Sequence, residues 1–407
     1  MSRFSGFYKK TRQERIALLQ QERSFSQEST EILIQDKNLP EAIAGKMTEN
    51  HLGTFSLPFS VVPEFLLDGQ EYSLPMVTEE PSVVAACSFG AKIIGRSGGF
   101  HSEILERLMI GQVALYDVPD PQAALEKILA ERESILSRQI QVEIKAQFLI
   151  VYLSGDVLEA MGANILNTML EGIKDYLEEL SQGQALMAIL SNYASQSLVT
   201  ARCRIAISSL GTSVALNQET AKKIALASQL AQVDTYRAAT HNKGIFNGID
   251  ALVVATGNDW RAVEAGAHAY AARDGQYRGL STWTLEGDYL LGQMTLPLPI
   301  ATVGGSIGLN PKVQAAFDIL GHPDARTLAS LIVATGLCQN FAALRALVTT
   351  GIQAGHMKLQ AKSLAILAGA NEEEADTIAQ QLRKEKHTNL ETAKQLLAQL
   401  RDKEKEA

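Results

Sequence analysis

The chain has 407 residues, 46% of them hydrophobic and 20% charged, the balance of a globular protein with room for two sizeable cores. Its formal net charge of −8 argues against nucleic-acid binding, which needs a basic face. Three widely spaced cysteines, Cys87, Cys203 and Cys338, exclude a disulfide scaffold and a zinc site. The N-terminus lacks the apolar core of a signal peptide and no apolar run reads as long enough to span a bilayer, so a cytoplasmic protein without membrane contact is expected.

In chain order, Thr11 and Glu14 form an S/T-x-x-E capping box ahead of a short amphipathic helix with Ile16, Leu18 and Leu19. A second short helix should follow Pro40. Residues 55–77 read as extended, with Asp68-Gly69 as a hairpin turn. Pro81 is expected at the first helical position of a helix over 82–95, ended by Gly98-Gly99. Strands and helices then alternate: a strand at 111–118, a helix over 121–137, an extended run over 141–154, a long helix over 159–180, and strands at 184–190 and 197–207. This pattern predicts a small α+β sheet domain over 107–195, inserted into a larger domain of mixed helices and sheet made of 1–106 and 196–349. Alanine-rich helices follow Asn217, then a strand-like run over 282–296. The tail, 350–407, carries two charged amphipathic helices from Asn371 onward, the second opened by a Thr388/Glu391 capping box, and is expected to be a mobile flap.

The stretch from Thr235 to Tyr270 carries the densest chemistry. It sets Arg237, His241, Asn242, Lys243, Asn247, Asp259 and Glu264 among Ala, Gly, Val and Ile. Several of these are therefore expected in a low-dielectric interior, where a lysine and an aspartate compensate each other or react. In THNKG, Lys243 precedes a glycine at an expected apolar helix start and can face a developing oxyanion, or snorkel to solvent. In ATGNDWRA, Asn258 or Asp259 serves equally well as a helix N-cap. In TEEPSVVAACS, Glu80 lies beside a helix N-terminus, a position that favours an acid for structural reasons alone. His356 in IQAGHMK is a lone histidine, a type more often structural than catalytic. EAMGANILNTM places Gly162 at a helix start, suited to a phosphate and equally to close packing. TVGGSIG, 302–308, is not the fingerprint of a Rossmann domain.

EEPSVVAA, EAMGAN, THNKG, ATGNDWRA and GHM, in this order over essentially the whole chain, resemble the class II bacterial 3-hydroxy-3-methylglutaryl-CoA (HMG-CoA) reductases, specifically the branch of lactic acid and related Gram-positive bacteria. The resemblance implies an α+β fold with an inserted ferredoxin-like (split β-α-β) cofactor domain and a C-terminal helical flap. It implies reduction of HMG-CoA to mevalonate and free CoA by two hydrides from NADPH, with NADH the alternative, in a homodimer or larger homo-oligomer, and no metal. The catalytic glutamate maps onto Glu80, the oxyanion-stabilising lysine onto Lys243, the central aspartate onto Asp259, between them, and the histidine that protonates the CoA thiolate onto His356. Ser82, Arg237, Asn247 and Asn50 map onto substrate contacts, Arg237 opposite the free carboxylate. Glu159, Met161, Gly162, Asn164 and Asn192 map onto cofactor contacts.

Two departures stand out. The ENVVG or ENVIG element reads Glu49-Asn50-His51-Leu52-Gly53 here. A glycine-rich segment of roughly twenty residues is missing before QVEIKAQFLIVYLS, with no Asn-Gly or Asp-Gly in its place. The small sheet is therefore expected to lose a strand or to turn with poor chemistry around Lys145-Ala146. That shortening motivates a reading from another class, a catalytically impaired homologue that binds acyl-CoA.

Overall fold

The computed structural model describes residues 3–23, 25–133, 139–349, 351, 361–385 and 387–406. Thr11 and Glu14 cap α1 (Arg12–Glu22) reciprocally, as their spacing predicts. Helices α2 (Gln27–Gln35) and α3 (Glu41–Met47) lead into the first sheet. Strands β1 (Phe59–Leu67) and β2 (Gln70–Val77) join through Asp68 and Gly69, whose φ values of +49° and +79° suit a tight hairpin. With β3 (Phe100–Ile104), β8 (Leu198–Ala206), β9 (Ser281–Glu286) and β10 (Tyr289–Pro297) they make a six-stranded sheet in the order β2-β1-β3-β8-β10-β9. The pattern over 282–296 thus resolves into a hairpin, and β3 was not anticipated.

Helices α4 (Val83–Gly95), α7 (Val214–Val233), α8 (Thr235–Ala255) and α11 (Ala325–Val348) cover this sheet. Helix α11 overturns the expectation about apolar runs: by length and composition its 24 residues could cross a membrane, but most are buried within the protein. Leu331, Ile332, Val333, Leu337 and Phe341 are fully enclosed in the main core. Helix α4 begins one residue later than expected. Pro81 lies outside it, and Ser82 takes the cap position with a left-handed φ of +76°. Lys243 lies in the middle of α8, not at a helix start.

The chain from β4 to β7 forms a second sheet with its own core. It runs β4 (Leu108–Tyr116), α5 (Pro121–Ala130), β5 (Gln139–Lys145), β6 (Phe148–Asp156), α6 (Ala163–Ser181) and β7 (Gln184–Ser191). The strand order β5-β6-β4-β7, antiparallel throughout, is the ferredoxin-like β-α-β-β-α-β arrangement. Leu149, Val151 and Leu153 alternate toward α5 and α6, while Ile150, Tyr152 and Ser154 face away. The missing segment therefore costs no strand. Residues 146 and 147 close a two-residue hairpin between Lys145 and Phe148, at the expense of a positive φ at Ala146 (+54°). Helix α5 is shorter than the 121–137 expected, with 134–138 outside the described residues, and α6 starts at Ala163, not Glu159.

The tail forms a third core from α12 (361–367), α13 (Glu372–Leu382) and α14 (Leu390–Glu406). Asn371 and Glu374 box the start of α13. The Thr388/Glu391 box is replaced by Asn389, whose side chain accepts from the Thr392 amide at 2.9 Å, while the Thr388 hydroxyl turns back to the Leu382 carbonyl. His356 lies outside the described residues.

Candidate active site

Where β2 gives way to α4, Glu80 meets α8. The Lys243 ammonium lies 2.5 Å from Glu80 Oε2, and the Asn247 amide donates to Glu80 Oε1 at 3.1 Å. Lys243 and Asn247 are four residues apart, so they share one helix face and grip both oxygens of a single carboxylate. Contrary to the expectation of burial, the Lys243 side chain is 62% exposed and that of Glu80 33%. An ion pair so exposed contributes about 0–1 kcal/mol to stability. A cation on a helix and a carboxylate on the bend between β2 and α4, both open to solvent, are placed to act on a bound molecule. Ser82, two residues on, keeps a left-handed backbone that costs a non-glycine residue about 1 kcal/mol, and its side chain makes no cap hydrogen bond.

Arg237 occupies the first turn of α8, half-buried, and its guanidinium has no hydrogen-bond or ion-pair partner among the described residues. Burial lowers its pKa, and a carboxylate would satisfy its fork of donors. Asp259 does not sit between Lys243 and Glu80 here. It is the N-cap of α9 (Trp260–Ala271), accepting from the Arg261 and Ala262 amides at 3.1 and 3.2 Å. Asn50 is exposed on the loop after α3, with φ +54°, and is not hydrogen-bonded to the Glu80 cluster.

His241 is a core histidine. Its Nε2 lies 2.7 Å from the Ser281 hydroxyl and within reach of Asn340 Nδ2, and burial lowers its pKa to about 4. With Asn242, which bonds the backbone of Arg278 and Leu280, it fixes the register of α8 and hence where Lys243 points.

Sequence reasoning missed Asp250. It lies three residues beyond Asn247, on the same helix face, largely buried and facing the Glu264 carboxylate of α9. Burial, then the Glu264 charge, push Asp250 up to about 8. The spacing 243, 247, 250 was the available signal.

The predicted cofactor residues divide. Gly162 heads α6 with φ +86°, and a Cβ there would come within 2.0 Å of Val157 Cγ1. No side chain caps this 19-residue helix, so its first amides are open to an anion, with Ala163 half-buried and Asn164 exposed. That fits a dinucleotide phosphate. Met161 packs against the main core. Glu159 does not turn to the helix head: its Oε2 accepts from the Thr302 hydroxyl at 2.5 Å and the Ala325 amide at 2.8 Å. The backbone oxygen of Asn192 faces α9, where a Cβ on Gly266 would come within 2.6 Å of it.

The chain thus joins a ferredoxin-like module with an open helix head to a larger domain that carries a Lys–Glu–Asn cluster, and its sheets do not have the parallel order of a Rossmann domain. The family model for hydroxymethylglutaryl-coenzyme A reductase matches residues 11–361, and the chain belongs to that family. It is 39% identical to the 3-hydroxy-3-methylglutaryl-coenzyme A reductase of Archaeoglobus fulgidus, over 98% of this chain and 95% of that one. A probable reductase of Borreliella burgdorferi is 33% identical over 80% of this chain and 79% of its own. Among solved structures, the Streptococcus pneumoniae reductase is 56% identical with a TM-score of 0.85, covering 98% of this chain and all of the other. A class II reductase from the same organism, described as bound to NADPH in open conformations, is 57% identical with a TM-score of 0.82, over 96% of this chain and all of that one.

Proposed function

We propose that the chain reduces HMG-CoA to mevalonate and free CoA, with NADPH as the hydride source. The observation that carries this reading is the open Glu80–Lys243–Asn247 cluster, within a chain that belongs to the reductase family along most of its length. When bound, one NADPH would supply a hydride to the thioester carbonyl, and a second NADPH, after exchange, one to the aldehyde. The residues at the open head of α6, Gly162 and Asn164, with Asn192 nearby, would hold it.

Arg237 receives the substrate's free carboxylate and Ser82 its hydroxymethylglutaryl part, with Asn50 lining the pocket. Lys243 stabilises the oxygen that becomes negative when hydride reaches the carbonyl, a role in which a fixed ammonium lowers the barrier because it needs no reorganisation. Asn247 orients Glu80, which donates the proton to the aldehyde oxygen. Asp259, heading α9, adds negative charge that tunes both partners. His356 protonates the departing thiolate, delivered by a flap made of 350–407 that closes over the large domain (1–106 and 196–349) and the cofactor domain (107–195). The working unit is a cytoplasmic homodimer or larger homo-oligomer.

NADPH is favoured over NADH through the likeness to the NADPH-bound Streptococcus pneumoniae reductase. The test is a spectrophotometric assay with HMG-CoA and each cofactor in turn, comparing kcat/KM. A clear advantage for NADH overturns the cofactor assignment. HMG-CoA binding without turnover by either cofactor replaces the proposal with an acyl-CoA-binding homologue.

A further inference from the structure

The EAMG glutamate has its side chain committed elsewhere, and the direction of that commitment is informative. Glu159 holds Thr302 twice: its carboxylate accepts from the hydroxyl, and its backbone carbonyl accepts from the Thr302 amide at 2.9 Å. The same carboxylate oxygen also takes the Ala325 amide in the first turn of α11, where an anion is favoured. One residue back, Ala301 is clamped at two points by Asn258, its amide donating to Oδ1 at 2.8 Å and its carbonyl accepting from Nδ2 at 3.0 Å. Asn258 directly precedes Asp259, the N-cap of α9. The buried Arg107 guanidinium, just ahead of β4, donates to the carbonyls of Ile300 and Ala160. Residues 300–302 thus form a tie bar between the second sheet and the head of α9.

We propose that Glu159 is a positioning residue, which bolts the head of α6 to the 300–302 segment and so sets its distance from Asp259, and that it is not a cofactor ligand. The inference rests on the proposed function for the identity of the cofactor. Hydride transfer tolerates little misplacement between donor and acceptor, and an error near 1 Å is expected to cost about a hundred-fold in rate. Here that spacing is set by a few polar contacts between loop residues, so removing one loosens the geometry of reaction more than the affinity of either ligand.

The experiment compares Glu159→Ala, Glu159→Gln, Thr302→Val and the Glu159→Ala/Thr302→Val double variant. It measures kcat, the NADPH Kd by quenching of protein fluorescence, and amide hydrogen exchange over 157–166 and 298–310. Glu159→Ala and Thr302→Val should each lower kcat about ten-fold, with the Kd within about two-fold of the parent. The double variant should be no worse than Glu159→Ala alone, because both break one link. Glu159→Gln, which keeps an acceptor oxygen, should restore most of the rate. Exchange should rise together in both segments and stay unchanged in β5. Thr302→Val removes a single hydroxyl and preserves shape, so it reports on the link even where Glu159→Ala melts early. A Kd raised about ten-fold in Glu159→Ala with Thr302→Val silent would make Glu159 a ligand and overturn the proposal, as would additive losses or faster exchange confined to 157–166. An inactive parent enzyme refutes the proposed function instead, and the exchange measurement still decides the tie bar.

Discussion

Lys243 is the residue on which the chemistry turns. Its ammonium is held on Glu80 from mid-helix by an α8 whose register His241 and Asn242 fix through buried hydrogen bonds. Lys243→Ala should lower kcat about 10²–10³-fold, as for loss of an oxyanion donor, with a much smaller effect on KM for HMG-CoA. Because the side chain is exposed, the variant should melt close to the parent. Near-normal turnover in a folded variant would remove Lys243 from the mechanism. The identities of Glu80 and Lys243 were legible in EEPSVVAA and THNKG, and that of Asn247 through the family resemblance, but their environment was not. Apolar neighbours suggested burial, yet on a helix the neighbours in sequence occupy the opposite face: Ile245, Phe246 and Ile249 fill the core while Lys243 looks out. For Asp259 the sequence left capping and catalysis even, and its carboxylate caps α9, which leaves the tuning role a proposal.

Between elements, α8 sets the buried Asp250 against Glu264 of α9, and this makes stability depend on pH in a defined direction. Burial, and then the Glu264 charge, push the Asp250 carboxyl up to about 8 from its ordinary 3.8. Between these values the folded chain holds a proton that the unfolded chain has released. The pair therefore costs nothing below about pH 4 and progressively destabilises the fold as pH rises to about 8. Asp250→Asn keeps the shape and removes the titration, so its melting temperature should fall less than the parent's between pH 6 and pH 9. Parallel curves for the two proteins would show that the pair is not protonated. Element boundaries were readable where caps were strong, as at Thr11 and Asp68-Gly69, and failed where backbone geometry departed from residue preference. Proline at position 81 pointed to a helix start, but Ser82 adopts a left-handed turn first. The hairpin at 146–147 is the turn that was expected around Lys145-Ala146 as the alternative to a lost strand, made with Ala146 at a positive φ. Strand β3 was too short, at five residues, for its alternation to register.

At the scale of the molecule, the surface argues for self-association. Leu226, Leu230 and Val233 form an exposed apolar stripe at helical spacing on α7, with Tyr236 beyond it, while Leu52 and Phe55 stand almost bare on the loop before β1. Such surface is characteristic of an interface. Light scattering should give at least a dimer at concentrations where the protein is active, and a fully active monomer would contradict this. A small α+β sheet apart from the main one was legible in the alternation of strands and helices, and its ferredoxin-like form only in the family resemblance. The tie bar between them was not, since Arg107, Glu159, Asn258 and Thr302 are far apart in sequence and ordinary in type. The central claim, that one site carries out both reductions of a thioester to an alcohol, is tested most directly by stoichiometry. NADPH oxidised and CoA thiol released should be measured in the same reaction with HMG-CoA. The account predicts about two NADPH consumed per thiol, with mevalonate as the product, because the second hydride must reduce the aldehyde that CoA leaves behind. A ratio near one, with free aldehyde accumulating, or thiol release without NADPH oxidation, would contradict it.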